Sequence, residues 1–315
     1  MTLNLLAYGA FFLTTALSYA IICLGLNIQW GQTGLFNVGV AGFVAIGAYS
    51  SALLTTPETA DRFGGFDLPI FAGWASAAAI TGLVSLAVGA LTMRLRADYL
   101  AITTFGIAVT IQLLALNLQS VTGGPFGIGF IPRPFAAVQG NALLFTLANL
   151  GVIAAVVLLL YIGLERLLRS PWGRVLRAIR EDETAALSLG KNARAYRLQA
   201  FALGGAIMGL AGAIQAHFIG FIAPENYVSA LTFQVWAMLI VGGAGNNRGA
   251  VLGAVLVWGL WSASGAIIAA LFPPDQQARA AALQITMIGF MLAAILLFRP
   301  RGLIGERRTV SRFVG

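Results

Sequence analysis

The chain has 315 residues, of which 59% are apolar and 10% charged, with 38 glycines and a formal net charge of +8. Soluble domains carry about 25% charged residues, so this composition excludes a soluble fold and assigns the chain to a membrane. Cys23 is the only cysteine and lies in an apolar stretch, which excludes disulfides, Cys-based metal sites and thioredoxin-like motifs.

Windows without Asp, Glu, Lys or Arg run at about 3–28, 32–56, 68–93, 99–118, 141–164, 198–222, 226–243, 250–271 and 281–298. Each is long enough to cross a hydrocarbon core of about 30 Å as a helix, so the expectation is a single all-α transmembrane domain over 1–315 with about nine spans. The short alternating segments of a porin-like barrel are not visible. The first window has no basic leading region and no small-residue cleavage site, so it reads as a retained span.

The second window carries Gly31-Gln-Thr-Gly34 and then Gly39, Gly42 and Gly47. These glycines permit an interrupted helix and close helix packing, an arrangement suited to a gate. Pro57 to Pro69 reads as an external loop, punctuated by Pro and Gly. Residues 119–140 read as a second external loop, in which five Gly or Pro between Gly123 and Gly129 exclude a regular helix. An internal echo joins Asp98-Tyr99…Thr104-Phe105 to Asn226-Tyr227…Thr232-Phe233 at identical spacing, as an inverted repeat would, although chance matches this short are common and are the stronger explanation.

Residues 170–197 form a charged segment between two long apolar stretches. Ser170 is expected to cap a helix start, Pro171 suits its first turn, and Gly190 suits a C-terminal cap. Val175, Leu176 and Ile179 make a short apolar stripe flanked by Arg174, Arg177 and Arg180, and a second short helix with Ala185 and Ala186 follows the acidic run Glu181-Asp182-Glu183. An interfacial helix resting on headgroups is the alternative. Three consecutive acids fit poorly against an anionic leaflet, which favours docking onto a soluble partner.

Sixteen of the 19 cations fall on one side of a nine-span threading, among them Arg94, Arg96, Arg248, Arg299, Arg301, Arg307, Arg308 and Arg312, whereas the other side holds Arg62, Arg133 and Arg279. Loops rich in Lys and Arg stay in the cytoplasm, so the N-terminus is expected outside and the C-terminus inside. The net charge then reflects topology and anionic lipid headgroups, and nucleic-acid binding is the weak reading.

His217 is the one residue among Asp, Glu, Lys, Arg and His inside a span, and it is expected near the outer membrane interface. Ion-coupled carriers use buried charges as machinery, so their scarcity argues against ion coupling. One His and one Cys also leave little for a membrane-embedded enzyme. Gln32, Asn37, Thr103, Thr104 and Gln112, with Thr122, Gly123 and Gly124 of the external loop, are the candidate lining of a passage for a small polar solute. Simple interhelical bonding is the competing explanation and, for any single residue, the stronger one. The only lysine, Lys191, is followed by Asn192 and lacks the first glycine of a phosphate-binding loop, so ATP, if used, is bound by a partner.

These residues resemble a known family, the permease subunits of branched-chain amino-acid ABC importers of the LivM kind. The likeness rests on Gly31-Gln-Thr-Gly-Leu-Phe-Asn-Val-Gly39, Arg94-Leu-Arg-Ala-Asp-Tyr-Leu-Ala-Ile-Thr-Thr104 and Thr122-Gly-Gly-Pro-Phe-Gly-Ile128. It continues through Gly173-Arg-Val-Leu-Arg-Ala-Ile-Arg-Glu-Asp-Glu-Thr-Ala-Ala186, Gly242-Gly-Ala-Gly-Asn-Asn-Arg-Gly249 and Arg299-Pro-Arg-Gly-Leu-Ile304. The resemblance implies a multi-pass permease of the bacterial inner membrane that is not itself an enzyme. Its implied partners are a second, LivH-type permease, two cytoplasmic ATPases that bind ATP and Mg, and a periplasmic substrate-binding protein. Glu183, Ala185, Ala186 and Gly190 match the Glu-Ala-Ala-x3-Gly core of the importers' coupling motif, with Thr184 inserted and without its distal Ile-x-Leu-Pro part. Coupling is therefore expected to involve Arg174, Arg177, Arg180, Glu181, Glu183, Ala185, Ala186 and Gly190.

The family's Ser-Leu-Gly-His-Ala is replaced near Leu35-Phe-Asn-Val-Gly-Val-Ala41, and Pro-Phe-Gly-Ile128 stands where Pro-Asn-Gly-Ile is common. Both departures remove polar groups near the expected path, so the solute extends to urea, amides and other amino acids. A self-sufficient secondary carrier or facilitative channel is the alternative.

Overall fold

A backbone in lipid must satisfy its own amides, so long apolar runs become long helices. The computed structural model describes residues 2–59, 62–273, 276–298 and 302–306, and every expected window contains an apolar helix in it, although residues 32–39 of the second window are not helical. The helices are α1 (Thr2–Leu26), α2 (Val40–Thr55), α3 (Ile70–Thr92), α4 (Ala97–Asn117), the short α5 (Gln119–Thr122), α6 (Ala142–Arg169), α7 (Pro171–Glu181), α8 (Glu183–Ser188), α9 (Ala193–Ile219), α10 (Ser229–Gly242), α11 (Asn247–Leu271) and α12 (Gln277–Phe298). Among the described residues, α1, α3, α4, α6, α9 and α11 are long and apolar enough to cross a membrane, whereas α2 and α10 are shorter apolar helices. Asp61 and the expected cytoplasmic cations Arg299, Arg301, Arg307, Arg308 and Arg312 lie outside the described residues.

Two segments are more ordered than the sequence suggests. The loop from Pro57 to Pro69 contains an antiparallel hairpin of β1 (Pro57–Thr59) and β2 (Arg62–Phe66), with Pro57 opposite Phe66. The second loop is irregular, as expected, yet it is pinned: Ile128 N donates to Ile222 O at 2.8 Å and Ile222 N returns to Ile128 O at 2.9 Å.

The core sits where α2, α3 and α9 cross. Small residues let the backbones approach, which is how helices associate where lipid removes the hydrophobic drive. A Cβ on Gly47 of α2 would run into the backbone of Gly209 on α9, and one on Gly212 would meet the Val44 carbonyl. Phe43 and Phe201 fill the space beside this crossing edge to face, with centroids 5.8 Å apart.

His217 is not at an exposed interface. It is 0% exposed and ties three elements to the loop of residues 119–140. Its Nδ1 lies 2.7 Å from the Pro132 carbonyl, which can only accept, so Nδ1 carries the proton. Nε2 then accepts from the Ser51 hydroxyl of α2 at 2.8 Å, and the ring packs edge-on against Trp74 of α3. A buried neutral imidazole with both nitrogens bonded is a structural joint. His217→Leu keeps the volume but orphans a carbonyl and a hydroxyl, at roughly 1–3 kcal/mol each. The expected outcome is a lowered thermal midpoint of the purified protein, and an unchanged midpoint would remove the joint.

Candidate functional site

The charged segment folds as two short helices set on the membrane domain. Leu176 is fully buried and belongs to the main core, while Ile179, Ala186 and Ala193 form a small cluster with Val175 and Tyr196 packed against it. Pro171 opens α7 as expected, but Ser170 does not cap it. Its hydroxyl donates to the Leu167 carbonyl at 2.6 Å, at the end of α6, where that carbonyl also accepts from Ser170 N. Asp182 supplies the cap that the sequence reading missed, accepting from Ala185 N at 2.9 Å and starting α8. Gly190 turns the chain at φ 73°, a left-handed conformation suited to glycine, with its N–H donating to Leu187 O. Glu183 pairs with Arg197 of α9 at 2.8 Å, and Arg174 reaches back to the Arg169 carbonyl at 3.2 Å. Ala185, Leu187 and Leu189 stand exposed at the tip, so the packed side holds the segment in place and the other side is free.

Arg180 connects this segment to the interrupted helix. Its guanidinium donates to the carbonyl of Gly31 and to Glu306 Oε2, the latter at 2.7 Å, and Glu181 lies 4.0 Å away. Gly31 ends a π-helical turn, Asn27–Gly31, that continues α1. Such widened turns recur at functional sites in helices. The turn is held by a buried polar network. Asn27 bonds to Asn247 at 2.9 Å and accepts from Gly245 N at 2.8 Å, Gln32 donates to the Gly245 carbonyl at 2.8 Å, and Asn247 reaches Glu165 at 3.4 Å. The segment 302–306 joins the same place, with Leu303 N and Ile304 N bonded to the Val241 and Gly242 carbonyls.

Beyond the π-turn the chain is not helical until Val40. Irregular backbone in lipid survives only where protein satisfies its amides, and here most of the donors have an identified partner. Leu35 N donates to Gln29 O, Gly39 N to Asn37 Oδ1, Val38 N to Thr104 Oγ1 and Ala41 N to Thr232 Oγ1, the last two at 3.0 Å. The two echoed threonines therefore meet at one segment, from α4 and from α10, and Phe105 lies 6.4 Å from Phe233. Asn37 also donates to Gln29 at 2.7 Å, and Trp236 donates to the Asn37 carbonyl at 3.0 Å.

The expected pathway residues do not share one chamber. Gln32 belongs to the Gly245 network, with Oε1 buried and without a protein partner among the described residues. Asn37 and Thr104 hold the unwound segment. Gln112 lines a tight cleft with Phe105, Tyr227 and Thr232, and Thr103 is half-buried beside Thr104. Thr122 bonds to the Ala115 and Leu118 carbonyls, and Gly123 and Gly124, at φ 77° and 58°, shape the turn that follows. Asn37, Thr104 and Thr122 are thus each engaged in hydrogen bonds within the protein. Gln29 and Glu306 were missed, since neither lies in a motif; Thr232 was visible through the echo.

The family described as branched-chain amino acid transport system / permease component matches residues 9–296. The chain is 33% identical over 94% of its length to the high-affinity branched-chain amino acid transport system permease protein LivM of Escherichia coli K12, covering 69% of that protein. It is 24% identical over 93% of both chains to LivH of the same organism. A nucleoside ABC transporter permease protein of Lactococcus lactis, NupC, is 29% identical over 84% of each chain. No solved structure matches.

Proposed function

The chain belongs to the permease-component family of branched-chain amino acid transport systems, and we propose that it is one of two paired permease subunits of an ATP-driven importer for branched-chain amino acids or related small polar solutes. The observation that carries the coupling part of this reading is the Arg180 strut, which links α7 to the π-turn and the unwound segment after it. A segment packed on one side and exposed on the other suits transmission: a partner moving α7 and α8 displaces Gly31, and with it the entry to α2. The partners are a LivH-type permease, two cytoplasmic ATPases holding ATP and Mg, and a periplasmic binding protein that selects the solute. The chain crosses the inner membrane nine times, counting the shorter α2 and α10 and α12, with the N-terminus outside and the C-terminus in the cytoplasm.

Gentle extraction followed by mass spectrometry tests the assembly. Two ATPases and a second permease are expected to co-purify, whereas a chain purified alone that transports down a gradient would establish the secondary carrier. The coupling surface has its own test. Glu183→Arg, which sets like charge against Arg197, and Gly190→Arg, which strains a left-handed turn, are expected to abolish ATP-dependent uptake while membrane insertion stays normal. Normal uptake in both variants would remove α7 and α8 from coupling.

A further inference from the structure

Two cavities share one residue. The first is an apolar groove of about 450 Å³ between α1, α6 and α11, with Val157 on its floor and Leu158 and Leu252 exposed at its rim. The second is a polar cavity of about 280 Å³ lined by Glu165, Arg169, Arg177 and Glu306. Arg248 lines both. On α6, Ala154, Val157 and Leu158 face the groove, Tyr161 follows, and Glu165 and Arg169 face the polar cavity. Spacings of three and four residues put all of these on one stripe of the helix. The two cavities therefore lie end to end along α6 and meet at Arg248, an apolar trough with a polar end.

The charges at that end do not cancel. Glu165 is taken by Arg169 at 3.2 Å and Glu306 by Arg180 at 2.7 Å. Arg248 bonds the Tyr161 hydroxyl at 3.1 Å, and among the described residues neither it nor Arg177 has a carboxylate within ion-pair distance. An apolar furrow ending on unneutralised guanidiniums has the polarity of an amphiphilic anion.

We propose that this trough binds one anionic glycerophospholipid, with an acyl chain along α6 and the phosphate on Arg248 and Tyr161. A paired permease is the other conceivable occupant of the groove, but it would bury Arg248 against a surface that must supply a carboxylate. Lipid supplies the anion and the chain in one molecule, and basic pockets between membrane helices are known lipid headgroup sites.

The test uses the assembled importer in detergent, supplied in turn with phosphatidylglycerol, phosphatidylcholine and glycerol phosphate, with retained lipid counted by native mass spectrometry. Phosphatidylglycerol is expected to be retained over phosphatidylcholine by roughly fivefold, a preference that the exposed-surface variant Arg248→Gln removes. Equal retention of the two lipids, or an unchanged preference in Arg248→Gln, overturns the proposal. Displacement by glycerol phosphate as effective as by lipid would make this a free-phosphate site and also overturns it. A cysteine placed by Leu158→Cys separates the remaining source: cross-linking to the second permease would show a subunit interface, whereas labelling by a lipid-soluble reagent is expected.

Discussion

Replacing Arg180 with alanine is expected to lower solute uptake by the assembled importer at least tenfold while leaving ATP hydrolysis in place, so that more ATP is consumed per solute moved. The side chain makes two charge-assisted bonds, to the Gly31 carbonyl and to Glu306. Each such bond contributes about 1.5–3 kcal/mol, and about 1.4 kcal/mol is tenfold in an equilibrium. Losing one link of that size is enough to disconnect the motion of α7 from the π-turn. Arg180→Lys should recover little, because a point ammonium cannot reach two acceptors as a planar fork does. Glu306→Gln should fall between, since the Gly31 contact survives. In the Arg180→Ala background Glu306→Gln should have no further effect, because the two share one contact. Additive losses would mean that Glu306 acts elsewhere.

The same site shows what a sequence can and cannot disclose. Positions of the long apolar helices followed from runs free of charge, because a helix in lipid must be apolar along its length. The interruption before α2 followed from Gly31, Gly34 and Gly39, and the α7 and α8 segment from a charge pattern foreign to its surroundings. Polar residues inside the spans were harder to read, because a buried amide has the same letter whether it binds solute or a neighbouring backbone. Asn37 and Thr104 proved to be occupied by the irregular segment itself. Glu306 was invisible as a partner of Arg180 because 126 residues separate them and no periodicity spans that distance. Ser170 failed as a cap for a local reason, since the carbonyl of Leu167 competed for its hydroxyl.

Gly47→Val is expected to eliminate the folded protein from the membrane, whereas Gly106→Ala should leave amount and uptake unchanged. A Cβ at Gly47 overlaps the backbone of Gly209, and backbone cannot rotate away as a side chain can. The helices must therefore separate by the full width of the new group, and overpacking of this kind costs about 1–3 kcal/mol even where side chains can adjust. Separation at this point reaches further than lost contact. Gly212 meets the Val44 carbonyl one turn away, Phe43 packs on Phe201, and the entry to α2 hangs from Thr104, through Val38 N, and from Thr232, through Ala41 N. Moving α2 breaks those hydroxyl bonds and orphans amides at membrane depth, where no water replaces them. Gly106, also in an apolar helix, has nothing within 4 Å of its added Cβ, so it controls for the loss of glycine alone. Immunoblotting of membrane fractions reads the difference. Wild-type levels of Gly47→Val with intact uptake would mean that α2 and α9 can part without disturbing the unwound segment, and would take α2 out of the coupling path.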